Sequence, residues 1–256
     1  MKKGHLRVLS LTFFLFISAH FTSIFAQNWE VGTTLGGSLY NGDIDVTAVT
    51  AVNEIRFGGG IFVRYHVNNW FGLRVQASAG TLFADEKKFG TSEWKTRRGY
   101  SFSSPIYEIA ILPQVHPFRL GNFEPFVYLG LAGASFDPTT QYNEPNPTAD
   151  LDHNVQERIA IDKAATFSRT TLSIPVGGGI QWFINDRFAV GAEFGGRKTF
   201  SDYLDKINVA NGGNAKDFYF FGGLTLSYLF GGGNGFSGDW YGNGSKKGGG
   251  VNCPKF

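Results

Sequence analysis

Residues 188–197 read Phe-Ala-Val-Gly-Ala-Glu-Phe-Gly-Gly-Arg, and this stretch decides the fold class of the chain. Every second position in its first part is apolar: Phe188, Val190, Ala192 and Phe194. The positions between them carry small residues and the charges of Glu193 and Arg197. A period of two residues predicts a β-strand with one apolar face and one face that is small or polar.

Seven further segments of the chain alternate in the same way. Together, the eight predicted strands are 29–41, 55–67, 70–83, 102–118, 123–136, 168–184, 188–200 and 218–230. Most are longer than the roughly 9–11 residues that a tilted strand needs to cross a bilayer. The last one ends on an aromatic residue, Phe230, as the C-terminal strand of a membrane barrel does.

The connections between these segments alternate strictly between short and long. The short ones are 68–69, 119–122 and 185–187, and the long ones are 43–54, 84–101, 137–167 and 201–217. Membrane barrels have short periplasmic turns and long outer loops, whereas a soluble sandwich has no reason to alternate. The sequence therefore predicts an all-β fold, an eight-stranded antiparallel transmembrane β-barrel with a flexible C-terminal tail.

The N-terminus has the layout of a secretory signal peptide. Lys2, Lys3 and Arg7 precede an apolar run over residues 8–17, and Ala26 precedes the polar Gln27. The run is shorter than the ~20 residues of a membrane-spanning helix, so we expect cleavage after Ala26. The predicted organisation is a signal peptide over 1–26, a barrel over 27–230 and a glycine-rich tail over 231–256. We expect the mature protein in the outer membrane of a Gram-negative bacterium.

The composition agrees with an exported barrel. Glycine (35) and phenylalanine (26) are abundant, and the net charge of +2 is too small to suggest nucleic-acid binding. The lone Cys253 excludes an intramolecular disulfide and leaves two alternatives, an intermolecular disulfide or a free thiol. Because an even strand number places the tail in the periplasm, we expect Trp240, Tyr241 and Cys253 to contact a partner there.

Charged residues recur on the polar faces of the predicted strands. If the apolar face meets lipid, the charges that point into the lumen are Glu30, Arg64, Arg74, Glu108, Glu193 and Arg197, joined by Arg56 and Glu124. An eight-stranded barrel is just wide enough for side chains to fill it. Because an unpaired buried charge is costly, we predict that these acids and bases pair and plug the lumen. An ion path through the lumen is the alternative.

Nothing in the sequence predicts an enzyme or a cofactor. His66 and His116 precede short turns, and His153 in an outer loop has no serine at a telling spacing. The acids of that loop (Asp150, Asp152, Glu157 and Asp162) fit no calcium-binding pattern. No phosphate loop, Cys/His metal cluster or dinucleotide fingerprint occurs. We expect no catalytic residues, no metal site and no cofactor.

Five stretches of the predicted barrel carry a resemblance to a known family. They are 36–44 (Gly-Gly-Ser-Leu-Tyr-Asn-Gly-Asp-Ile), 98–108 (Arg-Gly-Tyr-Ser-Phe-Ser-Ser-Pro-Ile-Tyr-Glu), 123–130 (Phe-Glu-Pro-Phe-Val-Tyr-Leu-Gly), 173–177 (Ser-Ile-Pro-Val-Gly) and 197–205 (Arg-Lys-Thr-Phe-Ser-Asp-Tyr-Leu-Asp). In this order they resemble the PorG-like proteins, outer-membrane components of type IX secretion and gliding machinery. The last stretch, with Arg197, Tyr203 and Asp205, is the most specific.

The resemblance implies a non-enzymatic role in protein transport. A PorG-like barrel would anchor a periplasmic ring, built from a lipoprotein and its partner protein, to the outer membrane. A small surface-exposed barrel that acts in adhesion or envelope integrity through its outer loops is the alternative. The tail 231–256 separates the two hypotheses, because it has no use in the second.

Overall fold

A computed structural model describes residues 28–41, 53–89, 99–141, 161, 164–201, 203–206 and 217–230. The predicted signal peptide, the tail and most of the long loops lie outside these residues. The described residues form the strands β1 (Trp29–Asn41), β2 (Arg56–His66), β3 (Phe71–Asp85), β4 (Ser101–Val115), β5 (Phe123–Leu129), β6 (Leu131–Phe136), β7 (Thr139–Gln141), β8 (Thr170–Phe183), β9 (Phe188–Thr199) and β10 (Phe218–Leu229). A four-residue helix, α1 (Glu86–Phe89), follows β3.

The sheet closes on itself. We call each position in the ring of strands a wall, whether one strand or several short strands in a row occupy it. Each wall pairs antiparallel with its neighbours, and β1 pairs with β10 from Glu30 opposite Leu229 to Asn41 opposite Phe218. Since β5, β6 and β7 follow one another along β4, they form a single wall, and the ring has eight walls. The predicted eight-stranded antiparallel barrel is confirmed. Among the described residues, no helix is long and apolar enough to cross a membrane.

Two prolines explain why the fifth wall is divided. β5 and β6 keep one common register against β4 and against β8, so no extra residue is inserted between them. In this register Pro113 lies opposite Leu129, and Pro175 lies opposite Gly130, whose amide donates to the Pro175 carbonyl at 3.0 Å. Because proline has no N–H, each one removes a ladder hydrogen bond, and the strand is interrupted there.

The short connections lie together at one end of the barrel, the turn end, where β1 begins and β10 stops. In two of them an asparagine side chain fixes the turn. Asn68 Oδ1 accepts hydrogen bonds from the amides of Trp70 and Phe71 at 3.0 and 2.8 Å. Asn185 Oδ1 accepts two more, from Arg187 and Phe188, both at 2.9 Å. This is the local chemistry for which asparagine is selected in turns.

The strand boundaries differ slightly from those expected. β3 continues to Asp85 instead of ending at 83, and β4 covers Ser101–Val115 instead of 102–118. The loop predicted over 137–167 contains the short strand β7. β3 and β4 extend because they pair with each other up to Asp85 opposite Ser101, beyond the region where side chains alternate clearly.

The two faces of the wall differ as the alternation predicts. Polar and charged side chains are buried inside, and large apolar side chains are exposed outside, such as Ile61, Ile109 and Leu172. At the turn end the outer face carries aromatic rings: Trp29 packs on Tyr65 at 4.9 Å between centroids, and Phe188 on Tyr228 at 5.2 Å. An apolar band with an aromatic girdle is typical of a lipid-facing barrel surface.

Candidate functional site

The lumen of the barrel holds charges from several walls. Among the described residues, three pairs of carboxylate and guanidinium groups have both side chains buried there: Arg64 with Glu30 at 2.9 Å, Arg74 with Glu193 at 3.0 Å and Arg197 with Glu108 at 3.5 Å. All six side chains are buried, being at most 6% exposed. The structure therefore places the six predicted charges inside and brings them together in pairs.

The pairs differ in what they connect. Glu30 and Arg64 lie directly opposite each other on the neighbouring strands β1 and β2. Arg74 on β3 reaches Glu193 on β9, and Arg197 on β9 reaches Glu108 on β4. These strands are not neighbours in the sheet, so the two pairs span the lumen and link opposite walls.

Each carboxylate is also bound by a neutral donor. The Thr34 hydroxyl donates to Glu193 at 2.9 Å, and the Tyr219 hydroxyl donates to Glu108 at 2.5 Å. Gln181 donates to Glu30 at 2.9 Å and accepts from Arg64 at 2.7 Å. These additional hydrogen bonds offset part of the desolvation cost that a buried ion pair carries.

Aromatic rings fill the space between the pairs. The Arg74 guanidinium lies 3.9 Å from the centre of the Phe62 ring, and Arg197 lies 5.0 Å from that of Phe221. Arg64 lies 5.2 Å from the ring centre of Phe126. Cations stacked on rings are attracted to the π-face and leave little room for water. Along the described walls, the lumen is filled by side chains.

Of the two further charges that the alternation predicts inside the barrel, Glu124 lies in the lumen and Arg56 does not. Arg56 lies at the loop end, where its guanidinium donates to the carbonyls of Asn53 and Ile55 and stacks over Phe83 at 3.9 Å. The prediction that it joins the lumen charges is wrong, because the first residue of β2 is already at the rim. Glu124 is buried inside, 2.7 Å from His116 Nδ1.

Two histidines belong to the filled lumen, and the sequence reasoning had assigned them no role there. His66 Nε2 lies 2.8 Å from Glu30 Oε2, and the rings of His66 and His116 are 5.8 Å apart. The signal was present in the sequence, because His66 is two residues from Arg64 on the same strand. The side chains of His66 and Arg64 therefore point to the same face of β2.

Residues 203–206, which we call the cap, pack against the loop end of the barrel. Leu204 and Asp205 of the cap are fully buried. The Tyr40 hydroxyl lies 2.8 Å from Asp205 Oδ2 and 2.6 Å from Asp217 Oδ1. The Leu204 amide donates to Asp217 Oδ2 at 2.9 Å, and the Tyr100 hydroxyl donates to the Asp205 carbonyl at 2.5 Å.

The residues of the 197–205 motif meet around this cap. Tyr203 stacks on Phe167 at 5.2 Å, and Phe167 stacks on Phe136 at 6.4 Å, with all three rings nearly parallel. Below the cap, Arg197 lies over Phe221, a ring of the apolar cluster that contains Leu204. The motif thus links an interior ion pair to the closure of the barrel mouth.

Two further buried carboxylates, those of Glu54 and Glu86, support the rim beside the cap. Glu54 precedes β2, and its Oε1 accepts a hydrogen bond from the Asp85 amide at 3.0 Å. Burial raises the pKa of the Glu54 carboxyl above its ordinary value. Glu86 is buried as well and accepts from the Tyr100 amide at 3.3 Å. These contacts join the ends of β3 and β4 to the rim.

Within the described ranges, no group of three or more His, Cys, Asp or Glu side chains could hold a metal ion. The predicted tail residues Trp240, Tyr241 and Cys253 lie outside the described residues. The arrangement of side chains inside the barrel is suited to holding the walls together and to obstructing the passage of solutes through the lumen.

Comparison with known proteins gives a family and a set of similar barrels. The model of the family described as "Domain of unknown function (DUF6089)" matches residues 7–239. No curated protein matches the chain in sequence.

Several solved outer-membrane proteins are similar in structure. A major outer membrane protein from Thermus thermophilus has a TM-score of 0.45 at 13% identity, with 79% of this chain and 99% of that chain covered. Neisserial surface protein A has a TM-score of 0.44 at 9% identity, covering 79% and 96%. OprG of Pseudomonas aeruginosa has a TM-score of 0.40 at 10% identity, covering 80% and 97%. Similarities at this level give no basis for transferring a function.

Proposed function

The chain belongs to the DUF6089 family, a domain of unknown function, and for this member we propose a non-enzymatic role as an outer-membrane barrel that anchors a periplasmic partner. The observation that carries the proposal is the filled and capped lumen. Ion pairs link β9 to β3 and to β4 through the interior, and the cap covers the loop end. A barrel built in this way is suited to being a rigid membrane anchor and unsuited to conducting solutes.

The finer proposal names the machinery. The resemblance of 36–44, 98–108, 123–130, 173–177 and 197–205 to PorG-like proteins supports a place in type IX secretion and gliding. In that role the barrel would hold a periplasmic ring, made of a lipoprotein and its partner protein, at the outer membrane. The short turns and the tail would face the ring, since short turns of such barrels are periplasmic.

The tail 231–256 is the segment that we propose to bind this partner. It leaves the barrel at the turn end, directly after Phe230. By its glycine-rich composition, a segment of about 20 residues is expected to have a root-mean-square span of roughly 25 Å, which would let the tail reach a neighbouring complex. Trp240 and Tyr241 supply aromatic groups of the kind enriched in interfaces, and Cys253 supplies a thiol in an oxidising compartment.

A pull-down from crosslinked envelopes tests this proposal. The full chain is compared with a deletion of 231–256, with a Trp240→Ala/Tyr241→Ala variant and with Cys253→Ser. We expect the deletion and the aromatic variant to lose the ring lipoprotein. A reductant-sensitive adduct on a non-reducing gel that disappears in Cys253→Ser would show that the contact is covalent. Equal recovery of the lipoprotein with and without the tail would contradict the proposal.

A second candidate function is adhesion or envelope integrity through the outer loops. The stacked rings of Phe136, Phe167 and Tyr203 at the loop end favour it, because they provide a firm base for exposed loops. Replacing the loop segment 142–160 by a short glycine–serine linker separates the two functions. Loss of surface binding with unchanged recovery of the periplasmic partner would support the second candidate over the first.

A further inference from the structure

The outer face of the barrel is not uniformly convex. A groove of about 930 Å³ crosses it, and its lining comes from β1, β2, β3, β4, β6 and β8. Large side chains, such as Ile61, Ile109 and Phe57, stand beside a floor of small ones, among them Ala77 and Gly133. The groove is continuous with the lipid-facing band described above.

The sheet register shows the direction of the groove. One row of directly opposed residues runs along it: Leu35, Gly59, Ala79, Tyr107, Ser135 and Thr170. On the turn side of the groove, Val31, Val63, Val75, Ile111 and Leu131 form a parallel row of larger apolar side chains. The groove therefore follows the direction of the ladder hydrogen bonds, perpendicular to the strands.

This direction makes the groove climb towards the loop end. Leu35 lies in the middle of β1, whereas Thr170 is the first residue of β8 at the loop end. Five inter-strand steps of about 4.8 Å give a row of about 24 Å. Because the strands of small barrels tilt by about 35–45°, such a row rises by roughly 15 Å along the axis. That rise is about half of the ~30 Å hydrocarbon core, the depth of one leaflet.

Polarity changes along the row. Its lower part is formed by Leu35, Gly59 and Ala79, and its upper part carries the hydroxyls of Ser135 and Thr170. Just above, the Ser168 hydroxyl lies 3.1 Å from that of Thr170, and the exposed Arg169 and Asp137 form a pair at 3.3 Å. An amphiphile with its chain towards the membrane centre and its polar head at the rim has the same polarity gradient.

We propose that this groove binds one acyl chain of a lipid in the leaflet at the loop end. The position within the lipid-facing band, the length of one leaflet and the polarity gradient all fit this occupant. The path also curves around the wall of the barrel, which a flexible hydrocarbon chain can follow and a straight helix cannot. This inference is independent of the scaffold role and of the tail.

Photocrosslinking in a defined membrane tests the inference. The full barrel is reconstituted in vesicles of phosphatidylethanolamine and phosphatidylglycerol that contain a phosphatidylethanolamine with a diazirine on its acyl chain. Adducts are then mapped by mass spectrometry of peptides. We expect adducts concentrated along the row from Leu35 to Thr170, compared with the opposite face around Val190 and Leu224.

Filling the floor of the groove supplies the decisive comparison. Ala79→Leu and Gly133→Leu should each reduce the number of lipid adducts in the groove several-fold. A Cβ atom at Gly133 would meet no atom within 4 Å, so there is space for a side chain at this position. Ala192→Leu, on the outer face between Leu224 and Ile180, is the matched control and should leave the adducts unchanged. The gel shift on heating verifies that every variant is folded.

Two outcomes would overturn the inference. One is labelling that is even around the barrel and insensitive to Ala79→Leu and Gly133→Leu. The other is the absence of lipid adducts from the groove together with a dimer that an added bifunctional protein crosslinker captures through groove residues, which would assign the groove to a second copy of the chain.

Discussion

Glu193 lies inside the barrel and is bound by side chains from two other strands. Arg74 donates to both of its carboxylate oxygens, and the Thr34 hydroxyl donates to one of them. At the loop end Tyr40 has a similar position, because its buried hydroxyl lies against two carboxylates. At both sites one side chain holds polar groups of distant strands together, so single substitutions test the network.

Replacing Glu193 by alanine should destabilise the barrel. Removing one partner of a buried ion pair leaves the other charge uncompensated, at a cost of about 3–5 kcal/mol. Arg169→Ala, which breaks the exposed pair with Asp137, is the control and should cost less than about 1 kcal/mol. Urea titration of the folded fraction in vesicles measures both. Equal losses for the two variants would contradict the role of the interior pairs.

Tyr40→Phe should loosen the cap without unfolding the barrel. The variant removes the hydroxyl that lies against Asp205 and Asp217, and a hydrogen bond to a charged group contributes about 1.5–3 kcal/mol. Limited proteolysis of intact cells should then cut the segment 201–217 faster. Tyr107→Phe, at an exposed hydroxyl on the lipid-facing side, is the matched control. Unchanged cleavage in Tyr40→Phe would show that the cap is held by other contacts.

Each strand has to satisfy lipid on one side and a crowded lumen on the other. β9 shows how this is done: Val190 and Phe194 face outward, while Ala189, Gly195 and Arg197 are buried. Gly195 is required by close packing, because a Cβ there would collide with the Tyr128 hydroxyl. The small residues of the inner face therefore make room for large side chains that reach across from other walls.

A charge on the outer face of β9 should impair assembly. Val190→Arg places a guanidinium on the lipid-facing surface, where the cost rises from about 0–1 kcal/mol near the interface to about 2–4 kcal/mol at the bilayer midplane. Val67→Arg carries the same substitution in an exposed turn and should assemble normally. The heat-dependent gel shift of outer-membrane fractions reports assembly. Normal assembly of Val190→Arg would remove the lipid-facing assignment of this face.

The whole barrel is built as a closed body. Ion pairs and rings from several strands meet in the lumen, and the cap packs at the loop end, so we expect the interior to obstruct the passage of solutes. A packed interior of this kind differs from that of a porin, which keeps a water-filled channel.

The purified barrel should therefore show no steady conductance in planar bilayers. Liposomes that contain it should also fail to swell in isotonic arabinose, whereas liposomes with a general porin swell. Glu193→Ala combined with Arg197→Ala removes two of the interior charges and should give brief, small openings at most. A large and stable conductance of the wild-type protein would contradict the plugged interior.

The sequence by itself determined the eight walls of the barrel, the face that each strand turns to lipid and seven of the eight charges predicted inside. These properties are local, because alternation has a period of two and each short turn is fixed by its own residues. The same logic could have placed His66 beside Arg64. The prediction from alternation was wrong for Arg56, because the alternation in the sequence continues past the residue at which the strand reaches the rim of the barrel.

Only the tertiary structure decided which groups meet. Arg74 pairs with Glu193, which is 119 residues away in the sequence. Tyr40 contacts Asp205, which is 165 residues away. These encounters depend on the shear and closure of the whole barrel, which set the relative height of side chains on opposite walls. The lipid-facing groove arises in the same way, because its six residues become a row only once five strand pairings fix their register. No local pattern carries that information.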